Sequence, residues 1–201
     1  MEIYQKKSFK DSFEVYFDIR MLRILLLGII SGFPWVLIGS SLSLWLKEDG
    51  LSRSTIGWAG LIFAVYAVNY VWSPLIDRVN IPWLTKKIGH RRSWIVIMQF
   101  IILTSLASWY LLDPTANLAL VIGVGLIIAI ASATQDITVD ALRIEQINEN
   151  EGRSMAAGAA MAVVGWWTGY KLGGVVALFT AEYFQNLGIS DYWQATFLIL
   201  G

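Results

Sequence analysis

Three sets of residues carry chemistry that an apolar background does not explain. The first is the run Ser132-Ala133-Thr134-Gln135-Asp136-Ile137-Thr138-Val139-Asp140-Ala141-Leu142-Arg143, in which Ser132, Asp136 and Asp140 recur every fourth residue and so share one face of a helix. Carboxylates inside an apolar helix are held there by a partner or by a function. Asp140 has Arg143 within one turn, the spacing of an ion pair. Asp136 lies a turn deeper, where low dielectric and a like charge nearby suit a carboxyl group that binds and releases a proton; a permanently paired structural carboxylate fits the same position. The second set is Trp35, Trp167 and Lys171. Trp167 and Lys171 are one turn apart and share a face on which an indole and a cation can receive an anionic, partly apolar solute. The third is Asp77-Arg78 followed by Gly89-His90-Arg91-Arg92, an acid at a helix end facing clustered cations, which can close one side of a helix bundle as a charge relay that breaks on opening.

Long apolar stretches must position these side chains. The 201 residues are 56% hydrophobic and only 15% charged, against about a quarter charged in an ordinary globular domain. A bilayer core about 30 Å thick is crossed by roughly 20 helical residues. Stretches of that length occur at about 23–46, 55–76, 94–112, 118–142 and 154–181, and a sixth opens at 192 and stops at 201. The expectation is an all-α polytopic membrane protein, a six-helix bundle over 23–201 whose last helix is incomplete and whose C-terminal half is missing.

Lys6, Lys7, Lys10, Arg20 and Arg23 precede the first span, Arg78, Lys86, Lys87, Arg91 and Arg92 join the second to the third, and Arg143 and Arg153 flank the fourth connection; the other side carries only Lys47 and Arg53. Cations favour the cytoplasmic side, so the amino terminus is expected there. Residues 1–22 are too acidic, with Glu2, Asp11, Glu14 and Asp18, for a cleaved signal peptide. Phe9, Phe13, Tyr16 and Phe17 instead suit a short helix on the cytoplasmic interface, with a solvated tail as the alternative.

Helix rise places side chains by depth. Trp45, Trp58, Trp72, Trp94, Trp109 and Trp193 fall near span ends, where indoles sit among headgroups. Trp35, Trp166 and Trp167 fall near the midplane, where an indole either fills space or lines a solute cavity. Gly165, Gly169 and Gly173 recur every fourth residue and form a stripe on which another helix packs closely. Lys171, on a different face, either snorkels outward or offers its charge to a solute. It lies roughly 15 Å from Asp136 in depth, beyond direct reach. Asn69 and Gln99 lie nearer that depth as hydrogen-bond partners, and Asn69 and Gln135 join Trp35, Trp167 and Lys171 in the expected solute-binding set.

With no cysteine and one histidine, the chain has no disulfide framework, no evident metal-ligand set and no thiol chemistry, and no cofactor is expected. Balanced charge, fifteen Lys+Arg against fifteen Asp+Glu, gives no nucleic-acid signature. A nucleotide phosphate loop is absent from the sequence, so a pump driven by ATP is disfavoured. His90 stands alone in a loop, which disfavours a membrane enzyme.

The Asp77-Arg78 and Gly89-x-Arg91-Arg92 segments resemble the loop after the second helix of major facilitator transporters, which usually reads Gly-x-x-x-Asp-Arg-x-Gly-Arg-Lys/Arg. Here Ser73 replaces the leading glycine, and an insertion with Pro82, Trp83, Lys86 and Lys87 divides the motif. Within that superfamily the chain resembles AmpG-type muropeptide permeases through Ser31-Gly32-Phe33-Pro34 with Leu44-Trp45-Leu46, Thr55-Ile56-Gly57, Trp72-Ser73-Pro74-Leu75-x-Asp77-Arg78, Gln135-Asp136-Ile137-x-x-Asp140-Ala141, and Gly169-Tyr170-Lys171-Leu172-Gly173. A lysine frequent in that family four residues before the Ser-Pro pair is Asn69 here.

The resemblance implies proton-driven import of anhydromuropeptides, glycopeptide products of cell-wall turnover, from periplasm to cytoplasm across a bacterial inner membrane. It implies the amino-terminal half of a carrier with twelve or more spans, in which Asp136 and Asp140 serve proton coupling and Asp77, Arg78, Arg91 and Arg92 form the cytoplasmic gate. A carrier of acetyl-coenzyme A or another anionic solute is the alternative within the class, although a nucleotide cargo would call for several deep cations. A small membrane protein without transport activity is the alternative outside it.

Overall fold

The structure is a computed structural model that describes residues 13–147 and 150–201. Within the described residues every regular element is a helix, consistent with the all-α expectation. Phe9, part of the expected interfacial segment, lies outside them. The described part of that segment forms one 3-10 turn, Val15–Phe17, ahead of the first long helix.

Helix α1 runs Ile19–Glu48. Asp18 starts it, accepting the Arg20 backbone N–H at 2.8 Å, which satisfies one of the donors that a helix start leaves free. Pro34 lies inside the helix and lacks a backbone donor, and just beyond it the chain widens into a π-helical turn, Leu37–Ser41. Helix α2, Arg53–Val71, begins at a Ser52 cap that accepts Thr55 N–H at 3.1 Å. It tightens to 3-10 geometry at Gly60–Phe63 and again at Asn69–Val71, then stops at Trp72, whose φ is −103° and ψ 0°. The continuous helix expected over 55–76 is therefore broken before Pro74, whose ring has no N–H for the Tyr70 carbonyl one turn back and would crowd it; the Ser73 hydroxyl donates to that carbonyl instead, at 3.0 Å.

After the break come α3, Ser73–Arg78, and α4, Leu84–Ile88. Four longer elements follow: α5, His90–Leu111; α6, Pro114–Glu145; α7, Gly152–Asn186; and α8, Tyr192–Leu200. Among the described residues α1, α2, α5 and α6 are long and apolar enough to cross a membrane. Helix α7 has the length, 35 residues; its glycines, indoles and Lys171 make it less apolar.

The most extensive helix pairing joins α1 to α7, followed by α5 with α6. In the first pair glycines face one another. A Cβ on Gly28 would stand 2.6 Å from the Ala162 carbonyl oxygen, and one on Gly32, Gly165 or Gly169 would collide with the carbonyl of Trp166, Leu25 or Ile29 respectively. The glycine stripe of α7 thus meets a second stripe on α1, and the two backbones touch directly.

At the end of the bundle holding Glu48 and Asp113, three tryptophans expected among headgroups are instead buried. Trp45, Trp109 and Trp193 pack around Phe197, with ring centroids 5.4, 4.6 and 5.8 Å from that phenylalanine. Nearness to a span end did not decide their environment, because each indole had helix neighbours to pack against. Trp109 Nε1 donates to the Val121 carbonyl at 3.1 Å, and Glu48 accepts from Tyr192 Oη at 2.7 Å and from Trp193 Nε1 at 2.5 Å. Trp58, by contrast, is 70% exposed.

Replacing Gly169 with alanine should destabilise the protein by about 1–3 kcal/mol, since α1 and α7 must separate to admit one methyl group. Gly57→Ala, where a Cβ meets nothing within 4 Å, should fall on the stabilising side by up to about 1 kcal/mol. Thermal unfolding in detergent, followed by circular dichroism, checks both. A second expectation concerns Asp113, the α6 cap, which accepts from Thr115 Oγ1 at 2.7 Å and Thr115 N–H at 2.8 Å. Those hydrogen bonds hold its carboxyl below the ordinary carboxylate range. A depressed folded-state value means that the cap's stabilisation is present above the unfolded value of about 3.9 and fades as pH falls through the folded one. Asp113→Asn, which caps without ionising, should lose that acid-limb dependence in the same unfolding measurement.

Candidate functional site

Helices α1, α6 and α7 enclose a groove of about 360 Å³ lined by Gly28 and Ser31, by Asp136, Val139, Asp140 and Arg143, and by Ala159, Ala162, Val163 and Trp166. The small residues of α1 and α7 leave room for it, and the i, i+4 spacing of α6 brings Asp136 and Asp140 to the same wall. The two carboxylates stand in different surroundings. Asp140 is exposed and lies 3.1 Å from Arg143 Nη2. The Oδ1 of Asp136 is buried with no hydrogen-bond partner.

Around Asp136 other polar groups are also buried and unpaired: Ser31 Oγ, Ser132 Oγ, Tyr66 Oη and both amide atoms of Gln135. Ser31 approaches Asp136, and Tyr66 approaches Ser132, without completing hydrogen-bond geometry. Natural interiors leave few such groups, and a concentration of them marks a place organised for something other than stability.

Trp166, on the groove wall, is also one link of an aromatic chain spanning three helices. Trp35 of α1 lies 4.5 Å from Tyr66 and 4.7 Å from Phe63 of α2, and 5.6 Å from Trp166 of α7. Trp166 stacks on Tyr170 with an interplanar angle of 11°, and Trp167 meets both at 5.2 and 5.9 Å. Tyr170 Oη also lies 3.4 Å from Ser40 Oγ within the π-helical turn. Trp35 and Trp167 therefore belong to one wall, joined through Trp166.

At the end of the bundle where α5 starts and α6 finishes, Arg91 holds Asp77 at 2.5 Å and Glu145 at 2.9 Å. The pairing fastens α3, α5 and α6. Arg78 and Arg92 are exposed and take no part in it, so the expected four-residue cluster reduces to Asp77 and Arg91 with Glu145 as a third member. His90 braces the same junction, with Nε2 2.8 Å from the Ile76 carbonyl and Nδ1 3.0 Å from Asn80 Oδ1.

The remaining expected residues lie apart from the Asp136 groove. Gln135 is fully buried, 0% exposed, and does not line it. Asn69 and Gln99 make no hydrogen bond to Asp136 among the described residues. Lys171 is exposed on the α7 face that also carries Trp167, away from the glycine stripe. Ser31, Tyr66 and Glu145 were not singled out by type and spacing. Ser31 sat inside a glycine-rich run, Tyr66 inside a run of aromatics, and Glu145 beyond the expected end of the fourth span.

Comparison with known proteins places these features. The sequence profile of the Major Facilitator Superfamily matches residues 24–201. Similar proteins include "Putative transporter AmpG 4" of Rickettsia felis, 35% identical over 187 residues covering 93% of this chain and 43% of that protein. "Putative transporter AmpG 3" of Rickettsia typhi is 37% identical over 172 residues, 85% of this chain and 40% of that protein. "Anhydromuropeptide permease" of Escherichia coli is 32% identical over 178 residues, 88% of this chain and 34% of that protein. The chain thus spans less than half the length of these relatives. With a match over nearly its whole length and membrane-crossing helices as its main elements, the chain belongs to the Major Facilitator Superfamily.

Proposed function

We propose that this chain is the amino-terminal, six-helix half of a proton-coupled carrier in a bacterial inner membrane, with its amino terminus in the cytoplasm, and that the whole protein imports anhydromuropeptides by alternating access. The observation that carries this reading is the junction at Trp166, where the groove lined by Asp136, whose Oδ1 is buried without a partner, adjoins the aromatic wall. A carrier needs a group that changes charge and a surface that recognises cargo, close enough for one to bias the other. Asp136 supplies the first, with Asp140 and Arg143 as the paired charges beside it. Trp35 and Trp167 supply the second, since indole faces accept the apolar faces of sugar rings. Lys171, exposed beyond Trp167, offers a cation to the acidic peptide of a glycopeptide once the second half of the carrier encloses it. Asn69 and Gln135 would meet cargo only after the helices shift.

In this reading Asp77, Arg91 and Glu145 form the inner gate. Their ion pairs hold α3, α5 and α6 together in one state and part in the other. The similarity to proteins named as AmpG transporters and as an anhydromuropeptide permease supports this cargo over other anionic solutes.

The test is uptake of a labelled anhydromuropeptide into vesicles containing the full-length protein under an imposed proton gradient. Wild-type protein should concentrate the solute, and collapse of the gradient should abolish accumulation. Asp136→Asn should lose accumulation while retaining exchange across equilibrated membranes; undiminished accumulation would remove Asp136 from coupling. Lys171→Ala should weaken apparent affinity about tenfold or more, the usual effect of deleting a charge-assisted hydrogen bond; unchanged affinity would remove it from the solute site. For the gate, Asp77→Arg should impair transport and the exchange Asp77→Arg with Arg91→Asp should restore part of it. Failure of the exchange to restore any transport would mean that the charges act separately.

A further inference from the structure

Tyr66 is the residue that belongs to both halves of the site. Its ring packs 4.5 Å from Trp35 and 6.0 Å from Phe63 in the aromatic wall, and its buried hydroxyl approaches Ser132, one turn before Asp136 on the same face of α6. From the other side Ser31 of α1 approaches Asp136 itself. Ser132 is 1% exposed and Ser31 5%, and none of the three hydroxyls has a hydrogen-bond partner. Three such hydroxyls around a carboxyl whose Oδ1 is likewise buried without a partner are costly unless their partners change with the state of the molecule, because each buried polar group left alone loses the solvation it had in water. A hydroxyl is suited to such a change, since it donates to a carboxylate and accepts from a carboxylic acid.

We propose that Tyr66, with Ser132 and Ser31, forms a hydroxyl relay that couples occupancy of the aromatic wall to the protonation state of Asp136, Tyr66 acting as the positioning residue. This rests on the carrier reading above and adds the route by which cargo and proton sense each other. With Asp136 ionised, the hydroxyls of Ser31 and Ser132 point toward it, and Tyr66 donates to Ser132. When Asp136 takes a proton its O–H donates outward, the serine hydroxyls reverse, and Tyr66 becomes the acceptor at the end of the chain. The one covalent change is at Asp136, where an O–H forms as a hydronium ion from the aqueous side gives up its proton and leaves as water; the hydroxyls of the relay only reorient. A solute stacked on Trp35 presses on the Tyr66 ring, which fixes its hydroxyl in one orientation and so favours one protonation state. The charged and titratable groups near Asp136 are Asp140 and Arg143 on α6 and Tyr66 on α2; α1 and α7 contribute Ser31 and Trp166 to the groove and no charge.

Tyr66→Phe keeps the ring and removes the hydroxyl, so it separates this role from packing. In full-length protein gradient-driven accumulation by the variant should fall at least tenfold while solute exchange across equilibrated membranes remains measurable; a tenfold change corresponds to about 1.4 kcal/mol of lost coupling. The pH dependence of solute binding should flatten in the same variant. Ser132→Ala should behave likewise, and Thr196→Ala, a buried threonine whose hydroxyl donates to the Tyr192 carbonyl away from both groove and gate, should leave accumulation unchanged. An arm that needs no cargo uses the infrared carboxyl band absent from Asp136→Asn. Tyr66→Phe and Ser132→Ala should shift its frequency and the pH at which it disappears. Normal accumulation in Tyr66→Phe, or a band that neither substitution moves, would overturn the relay. Absence of any solute uptake by the wild type with the band still sensitive to Tyr66→Phe would instead overturn the cargo assignment and leave the relay standing.

Discussion

The contact on which the site depends is one between backbones. Where α1 crosses α7, the carbonyls of Leu25 and Ile29 lie where Gly165 and Gly169 would otherwise carry side chains, and the Trp166 carbonyl does the same at Gly32. Lipid tails are as apolar as leucine, so helices in a bilayer gain little from hiding apolar surface and associate through close packing instead. Glycines facing glycines give the shortest separation that two helices can reach. Ser31 and Trp35 flank Gly32, and Trp166 and Tyr170 flank Gly165 and Gly169. The proximity of the two indoles across the helix pair follows from the absence of side chains between them.

The neighbouring backbone is irregular where this pair is regular. Pro34 and the π-helical turn Leu37–Ser41 adjoin Trp35, and the 3-10 segments of α2 enclose Phe63 and precede the break at Trp72. Non-helical backbone at membrane depth leaves polar groups that other protein atoms must satisfy, and it persists where a cavity or a moving part lies beside it. The aromatic wall is therefore built half on a rigid support, α1 against α7, and half on α2, whose hydrogen-bond ladder changes pitch twice. Ion pairs fasten one end of the bundle: Arg20 joins Asp18 to Glu151 at distances of 2.7 and 2.9 Å, tying α1 to the start of α7, while Arg91 ties α3 to α5 and α6.

Much of this architecture was legible in the sequence because the bilayer permits few solutions. Apolar length announced the helices, and the four-residue repeat of Gly165, Gly169 and Gly173 announced a packing face. The break in α2 was legible in principle at Ser73-Pro74, yet apolar continuity on either side masked it, since hydropathy counts residues and not hydrogen bonds. Depth along a helix placed Trp35 and Trp167 near one another but could not place Trp166 between them; that required the rotation of each helix about its axis, which packing sets. Trp45, Trp109 and Trp193 show the same limit. Sequence puts each near an end of an apolar stretch, whereas their burial depends on Phe197 and on neighbours distant in sequence. Glu145 joined Arg91 because α6 extends three residues past the expected span end, a helix-capping matter that an apolar count does not register.

Asp136 and Asp140 show why type and spacing leave function open. They are the same residue one turn apart on one helix, so local sequence treats them nearly alike. One turn toward the helix end, Asp140 reaches water and Arg143, and an ion pair within reach of solvent stabilises a carboxylate as an anion at modest energy. One turn inward, Asp136 faces hydroxyls and an indole, with the paired charges of Asp140 and Arg143 farther along the same groove. Two carboxylates of one type thus stand in contrasting surroundings, one in an ion pair at the edge of the bundle and one among hydroxyls within it. In the proposed carrier a change of charge at Asp136 is useful only if it is felt elsewhere. The side chain that reaches from the hydroxyls beside Asp136 to the aromatic wall is Tyr66, a residue whose ring packs as an aromatic should and whose hydroxyl has no packing role. A phenylalanine would fill the same space against Trp35, so the oxygen must be explained by what it faces across α6.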